Sequence, residues 1–411
     1  MRLAAHARKK TYADRLTMRV PLLPVLIFLV LGLLVDWYIY ARMRRAHLGR
    51  VWRVVYIIIS AIVTLGLLYV AVAPKKGTGD AGLHMLMWTL YSYISVYVPK
   101  YIYALFALVQ QALGRLFRRK LHGIGIAGVS VAGVLFVMMW WGALINRFNI
   151  DVNEVEVHIP DLPSQFDGYR IVQLSDIHAG TYGTDTTFLH DVVERVNALR
   201  PDVVLFTGDI VNRHSPELEP FTSTLGAIKA PDGVWSVMGN HDYGDYYRWP
   251  SPEAKQADIA HLHSLQESMG WRMLNNSHTV LRRGDSDSLV IIGVENIGDP
   301  PFTIYGNLGK AYPDVSDQAV KVLMSHNPMH WVDSIAEHPE RNIALTLSGH
   351  THAMQMEILG HSPAAFRYKT WGGLYHDSLG RKLYVNIGLG EVGFPARIGA
   401  TPEITLITLR R

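Results

Sequence analysis

At 411 residues, with 49% hydrophobic side chains and a mean hydropathy of +0.11, the chain has room for two or three domains and is too apolar for an ordinary soluble protein. It contains no Cys, which excludes disulfides and thiolate metal ligands and leaves imidazole, carboxylate, amide and water oxygen for any metal. The net charge of +4 does not point to nucleic acid, because the cations of the first third of the chain cluster between apolar stretches, where membrane topology accounts for them.

Four apolar segments come first, at residues 20–40, 54–73, 85–113 and 123–145. About twenty helical residues cross a hydrocarbon layer of roughly 30 Å, so each is expected to span a membrane. The first is too long, and too far from a small-residue cleavage site, for a secretory signal, and is expected to be retained. The third is interrupted by Pro99-Lys100. An unpaired ammonium at mid-membrane costs about 2.5 kcal/mol or more, so Lys100 should pair, snorkel or mark a break in the span.

An even number of spans puts the N-terminal tail and the C-terminal half on one side. Counting cations leaves a tie. Arg2, Arg8, Lys9, Lys10, Arg15, Arg19, Lys75, Lys76 and Arg147 face one way; Arg42, Arg44, Arg45, Arg50, Arg53, Arg115, Arg118, Arg119 and Lys120 face the other. The second set lies in short links free of acids, the usual look of cytoplasmic loops, and this favours an extracytoplasmic C-terminal half. Hydrophobicity collapses over residues 146–152, which divides the chain into a transmembrane region, 1–148, and a second domain, 149–411.

In that domain an alternating run, Val152, Val155 and Val157 among acids, begins a first strand. Apolar strands at residues 170–175, 203–207 and 234–238 then alternate with helices expected near 185–199, 216–229 and 252–269, a βαβαβ pattern that implies a largely parallel sheet. Beyond residue 270 the strands shorten, at 271–274, 279–282, 289–294, 320–324, 343–347, 383–386 and 404–409. The expected fold is α/β, a two-layer mixed sandwich flanked by helices, behind an all-α membrane region.

Five of the strands are each followed by a polar block: Asp176-Ile177-His178, Gly208-Asp209, Gly239-Asn240-His241-Asp242, Ser325-His326-Asn327-Pro328 and Gly349-His350-Thr351-His352. Open α/β sheets build their sites at the C-terminal ends of strands. Singly, each block has an ordinary explanation as a cap or a turn. Together they supply enough oxygen and imidazole donors for two ions of the Mn, Fe or Zn kind. The other fourteen His, including His261, His263, His330 and His361, match no block and read as surface or satisfied core residues.

The order of the five blocks resembles the calcineurin-like metallophosphoesterase superfamily. The sequences Gln173-Leu174-Ser175-Asp176-Ile177-His178 and Leu383-Tyr384-Val385-Asn386-Ile387-Gly388, with Pro402-Glu403-Ile404-Thr405, resemble its membrane-anchored bacterial branch, which includes UDP-diacylglucosamine pyrophosphohydrolase-like proteins. The resemblance implies that Asp176, His178 and His352 hold one metal, that Asn240, His326 and His350 hold the other, and that Asp209 bridges them. It also implies a hydroxide shared by the ions as nucleophile and His241 as general acid, with Asp242 orienting it. Arg397 is a candidate phosphate contact or a structural residue. One departure from the family pattern is visible, and one further difference argues against a phosphoprotein phosphatase. Ala353-Met354 replaces the glycines that often follow the last His pair, and Asn212 with Asp242 breaks the protein-phosphatase signature.

The expected function is therefore hydrolysis of a phosphodiester or pyrophosphate, of a lipid or nucleotide-linked lipid. Two divalent cations, Mn foremost, are the expected cofactors, and the bilayer and a phosphorylated small molecule or lipid the expected partners. Nucleic acid is not expected. The alternative is a membrane sensor or scaffold that binds ligands without turnover. Loops at 243–252 and 299–317 are expected near the site.

Overall fold

The structure, a computed structural model, describes residues 22–72, 79–284, 286–298, 303–312, 319–338 and 342–411. The basic tail through Arg19, Lys75 and Lys76, and parts of the 299–317 loop, lie outside the described residues. The chain divides into two compact units, Met1–Ile145 with Gly393–Ala396, and Asn146–Val392 with Arg397–Arg411.

Among the described residues, the first unit holds four helices long and apolar enough to cross a membrane. They are α1 (Leu22–Arg45), α2 (Arg50–Val72), α3 (Asp80–Leu116) and α4 (His122–Leu144). Their outward faces remain apolar, with Leu33, Ile62 and Val137 all exposed, as lipid contact requires. Pro99 does not break the third span; it lies inside a single 37-residue helix. Lys100 pairs: its Nζ is 2.8 Å from Asp36 Oδ1 and donates to Ser60 Oγ at 2.7 Å. The Tyr56 and Tyr97 hydroxyls also donate to the Asp36 carboxylate, each at 2.6 Å. One carboxylate thus ties α1, α2 and α3 together.

Asp36→Asn leaves that ammonium without its counter-charge, and removing one member of a buried pair costs about 3–5 kcal/mol. Thermal unfolding of the detergent-solubilised chain should show a large drop for Asp36→Asn and substantial recovery when Lys100→Met is added. A double variant no better than the single one would contradict this account.

Among its described residues the second unit contains two six-stranded sheets. In chain order the strands are β1 (Asp151–His158), β2 (Arg170–Leu174), β3 (Val203–Phe206), β4 (Val234–Ser236), β5 (Trp271–Met273), β6 (Ser277–Arg283), β7 (Asp287–Gly293), β8 (Val320–Met324), β9 (Leu345–Ser348), β10 (Gly373–His376), β11 (Lys382–Val385) and β12 (Glu403–Arg410). One sheet has the order β1-β12-β2-β3-β4-β5 and the other β10-β11-β9-β8-β7-β6. Strands β2 to β5 pair in parallel, as do β7, β8, β9 and β11.

The strand period of two explains the layering. In β3, Val203 and Leu205 join the core shared with Ile291, Val322 and Leu345 of the other sheet, while Val204 and Phe206 face the core against α5 (Thr187–Ala198). Near 216–229 the expected helix is reduced to two 3-10 turns and the single turn α6 (Thr222–Leu225). Pro216 and Pro220 remove the N–H donors that a longer helix needs. The helix near 252–269 forms as α7 (Pro252–Ser268), with Ser251 Oγ capping Ala254 N. Strand β10, absent from the expected set, is an edge strand opening on Gly373 that pairs antiparallel with β11.

Candidate metal centre

The polar blocks follow β2, β3, β4, β8 and β9, and the parallel pairing of these strands brings them to one end of the sandwich. Backbone shape then sets the side chains. Asp176, His178, Asp209, His350 and His352 all have left-handed φ, between 47° and 73°. Such non-glycine conformations cost about 1–3 kcal/mol each and persist where the surroundings over-determine them. Two glycines permit the close approach. A Cβ on Gly239 would lie 2.1 Å from Asp209 Oδ1, and one on Gly349 would lie 1.9 Å from Ser175 Oγ.

Two groups of buried or half-buried side chains result, either of which could hold an ion: Asp176, His178 and His352, and Asp209, His326 and His350. In the first, His178 Nε2 is 3.1 Å from His352 Nε2, which is 3.2 Å from Asp176 Oδ1. In the second, His326 Nε2 is 3.1 Å from Asp209 Oδ2 and 3.2 Å from Asn240 Oδ1. Asp209 Oδ2 is also 3.8 Å from His178 Nε2, so one carboxylate reaches both groups.

The donor chemistry fits divalent cations. His326 Nδ1 lies 2.8 Å from the Thr207 carbonyl; donating there turns the Nε2 lone pair toward Asp209 and Asn240. The Asn240 amide donates to Tyr246 Oη at 2.9 Å, which turns its oxygen toward His326. With His326 neutral, lone pairs from several residues therefore face one space, where a cation would take the place of the Nε2 proton.

Electrostatics follow the same pattern. Burial and the neighbouring His241 and His352 push His178 well below the usual imidazole range, and burial with His326 pushes His350 down to about 3. Burial alone would lower His326, but the Asp209 carboxylate outweighs it and pushes that imidazole up to about 9. Burial opposes ionisation of Asp176 and Asp209, yet the surrounding imidazoles hold both below the usual carboxylate range.

Residues 169–354 match the family model of the calcineurin-like phosphoesterases, and residues 18–147 match that of the probable calcineurin-like phosphoesterase transmembrane domain. The chain carries a calcineurin-like metallophosphoesterase domain behind a four-helix membrane domain. It is 33% identical over 267 residues to a transmembrane protein with metallophosphoesterase domain from Danio rerio, covering 63% of this chain. The chain spans only 57% of that relative's length. It is 29% identical to an uncharacterized metallophosphoesterase, YkuE, of Bacillus subtilis, covering 70% of this chain and 95% of that protein. It is 26% identical to the UDP-2,3-diacylglucosamine pyrophosphatase LpxG of Chlamydia trachomatis, covering 66% of this chain and 93% of that protein.

In this metallophosphoesterase domain His241 stands beside the metal groups, its ring edge-on to His178 at 4.8 Å and stacked on Tyr246 at 4.2 Å. Its Nδ1 is 2.7 Å from the Asn212 carbonyl, so donation there leaves Nε2 clear of that bond. Asp242 does not orient that ring. Its carboxylate accepts from the main-chain N–H groups of Asp209, Ile210, Val211 and Gly239, and so braces the two turns that carry Asp209 and Asn240. Burial and the Asp209 charge push the Asp242 carboxyl up to about 7.

Arg397 takes the structural alternative rather than a phosphate contact. It is fully buried and donates to the carbonyls of Ile387, Gly390 and Ala400, with Nη2 3.3 Å from His352 Nδ1. The substituted Ala353 and Met354 keep left-handed backbones, φ 51° and 47°, where glycine would be unstrained. Two neighbours of the centre escaped the sequence reading. Tyr246 lies in the flagged 243–252 loop, whereas Tyr368, 3.1 Å from His350 Nε2 through its hydroxyl, lies in a stretch with no periodic or motif signal.

Proposed function

We propose that this chain is a membrane-anchored, two-metal phosphoesterase that hydrolyses a phosphodiester or pyrophosphate bond in a lipid or nucleotide-linked lipid. The observation that carries the reading is the convergence of seven side chains from five strand ends, with Asp209 shared between the two groups. Asp176, His178 and His352 would hold one divalent cation, Asn240, His326 and His350 the other, with Mn the leading choice. Bound there, such ions would polarise phosphoryl oxygens and acidify water. His241, steadied by the Asn212 carbonyl, delivers a proton from Nε2 to the departing oxygen. Asp242 and Arg397 keep the ligand-bearing turns in place and do not touch substrate.

Support for the substrate class comes from the membrane domain and from the relative named for a nucleotide-linked lipid. The acid-free basic ends of α1 and α2 favour a catalytic unit outside the cytoplasm. The test uses the full chain in detergent, stripped with a chelator and reloaded with Mn, Fe or Zn. Hydrolysis of bis-p-nitrophenyl phosphate should vanish on stripping and return with one of these metals. Hydrolysis unaffected by metal removal would refute the proposal.

A further inference from the structure

Where the catalytic unit receives the chain from the last span is set by its own topology. Strand β1 runs parallel to β12, which runs antiparallel to β2, so β1 begins at the end of the sheet where β2 finishes and Asp176 lies. The same end is tied locally. Asn146 donates to the Arg397 carbonyl at 2.9 Å, and Arg147 pairs with Glu391 at 2.9 Å. Segment 391–398 is bonded in turn to the stretch that follows the last metal-site block. Ile398 N donates to the Gln355 carbonyl, Glu357 N to the Ile398 carbonyl, and Val392 N to Gln355 Oε1, at 2.7–2.8 Å.

That stretch exposes apolar side chains at a density found nowhere else among the described residues of this unit. Leu359 is 94% and Phe366 97% exposed, with Met354 and Ile358 also outside. Leu359 occupies the tip of a tight turn closed by Ile358 and His361, at φ 52° before Gly360 at φ 78°. Turns of this shape favour Asn or Gly at that place, and a leucine there puts a bulky apolar group at the outermost point. Glu357 is the one acid between Met354 and Lys369, against Arg367 and Lys369. Apolar tips flanked by cations are the pattern of segments that seat in a lipid interface.

We infer that residues 354–369 form a second membrane contact, with Leu359 and Phe366 seated among the lipid acyl chains and Arg367 and Lys369 at the headgroups. The occupant is the bilayer itself, because this loop shares its end of the unit with the chain's entry from a spanning helix. Tyr368, two residues from Phe366, touches His350, so the contact borders the metal centre. Given the phosphoesterase reading, the phosphate to be cleaved would then be presented at the level of the lipid headgroups.

The absence of Cys makes the test clean. Leu359→Cys, Phe366→Cys and Ser286→Cys are each labelled with an environment-sensitive fluorophore in the full chain, reconstituted into phosphatidylcholine and phosphatidylglycerol vesicles. Ser286 is the control, since it precedes β7 at the strand ends opposite the metal centre. Lipids carrying a nitroxide on the acyl chain should quench the labels at 359 and 366 severalfold more than the label at 286. Equal quenching at all three positions overturns the inference. The readout does not depend on turnover: quenching at 359 and 366 alongside a parental chain that hydrolyses nothing with Mn, Fe or Zn would sink the phosphoesterase reading and leave the membrane contact standing.

Discussion

On the proposed two-metal reading, Asp209→Asn is expected to lower kcat/KM toward bis-p-nitrophenyl phosphate by about a thousandfold, the upper end of what is lost when one group that stabilises transition-state charge is removed. The exchange is nearly isosteric. The amide oxygen can still accept the His241 N–H that Asp209 Oδ1 accepts at 2.8 Å, so the turn should keep its shape. What disappears is the charge that stands 3.1 Å from His326 Nε2 and 3.8 Å from His178 Nε2. Elemental analysis should therefore show less bound metal in a variant that unfolds at close to the parental temperature. Full activity with full metal content would remove Asp209 from the shared position.

His241→Ala is expected to reduce turnover by about 100-fold to 10,000-fold, the range for a positioned general acid, with metal content unchanged. The ring is held from three sides, by the Asn212 carbonyl, the Tyr246 face and the edge of the ligand residue His178, while His241 itself belongs to neither ligand group. A leaving group that departs readily as an anion gains less from a delivered proton. The loss should accordingly be smaller for p-nitrophenolate departure than for an alkoxide such as that of a methyl phosphodiester. Equal losses with both leaving groups would mean that His241 acts by binding phosphate and not by delivering a proton.

The sequence made the architecture readable because both of its signals are local and repeated. A span is announced by some twenty uncharged residues, and a buried strand by a short Val, Ile and Leu run such as Val203–Phe206. The metal blocks were readable for a related reason: each follows a strand, so its position in the fold is set by the element before it. Reading failed where the determinant was a competition or a distant contact. The helix expected near 216–229 lost to two prolines, and β10 carries no alternation of its own because an edge strand takes its order from its partner β11.

From the sequence alone came the membrane helices, the α/β class and a pool of oxygen and imidazole donors able to serve cations, since these depend on residue type and spacing along the chain. Only the tertiary structure decided which neighbour each group meets. It settled that Lys100 is answered by Asp36, that Asp242 braces two turns while the Asn212 carbonyl steadies His241, and that Arg397 spends its donors on buried carbonyls. Those partners lie from tens of residues away to far along the chain, and hydrogen-bond geometry chooses among them only after folding has brought their backbones together.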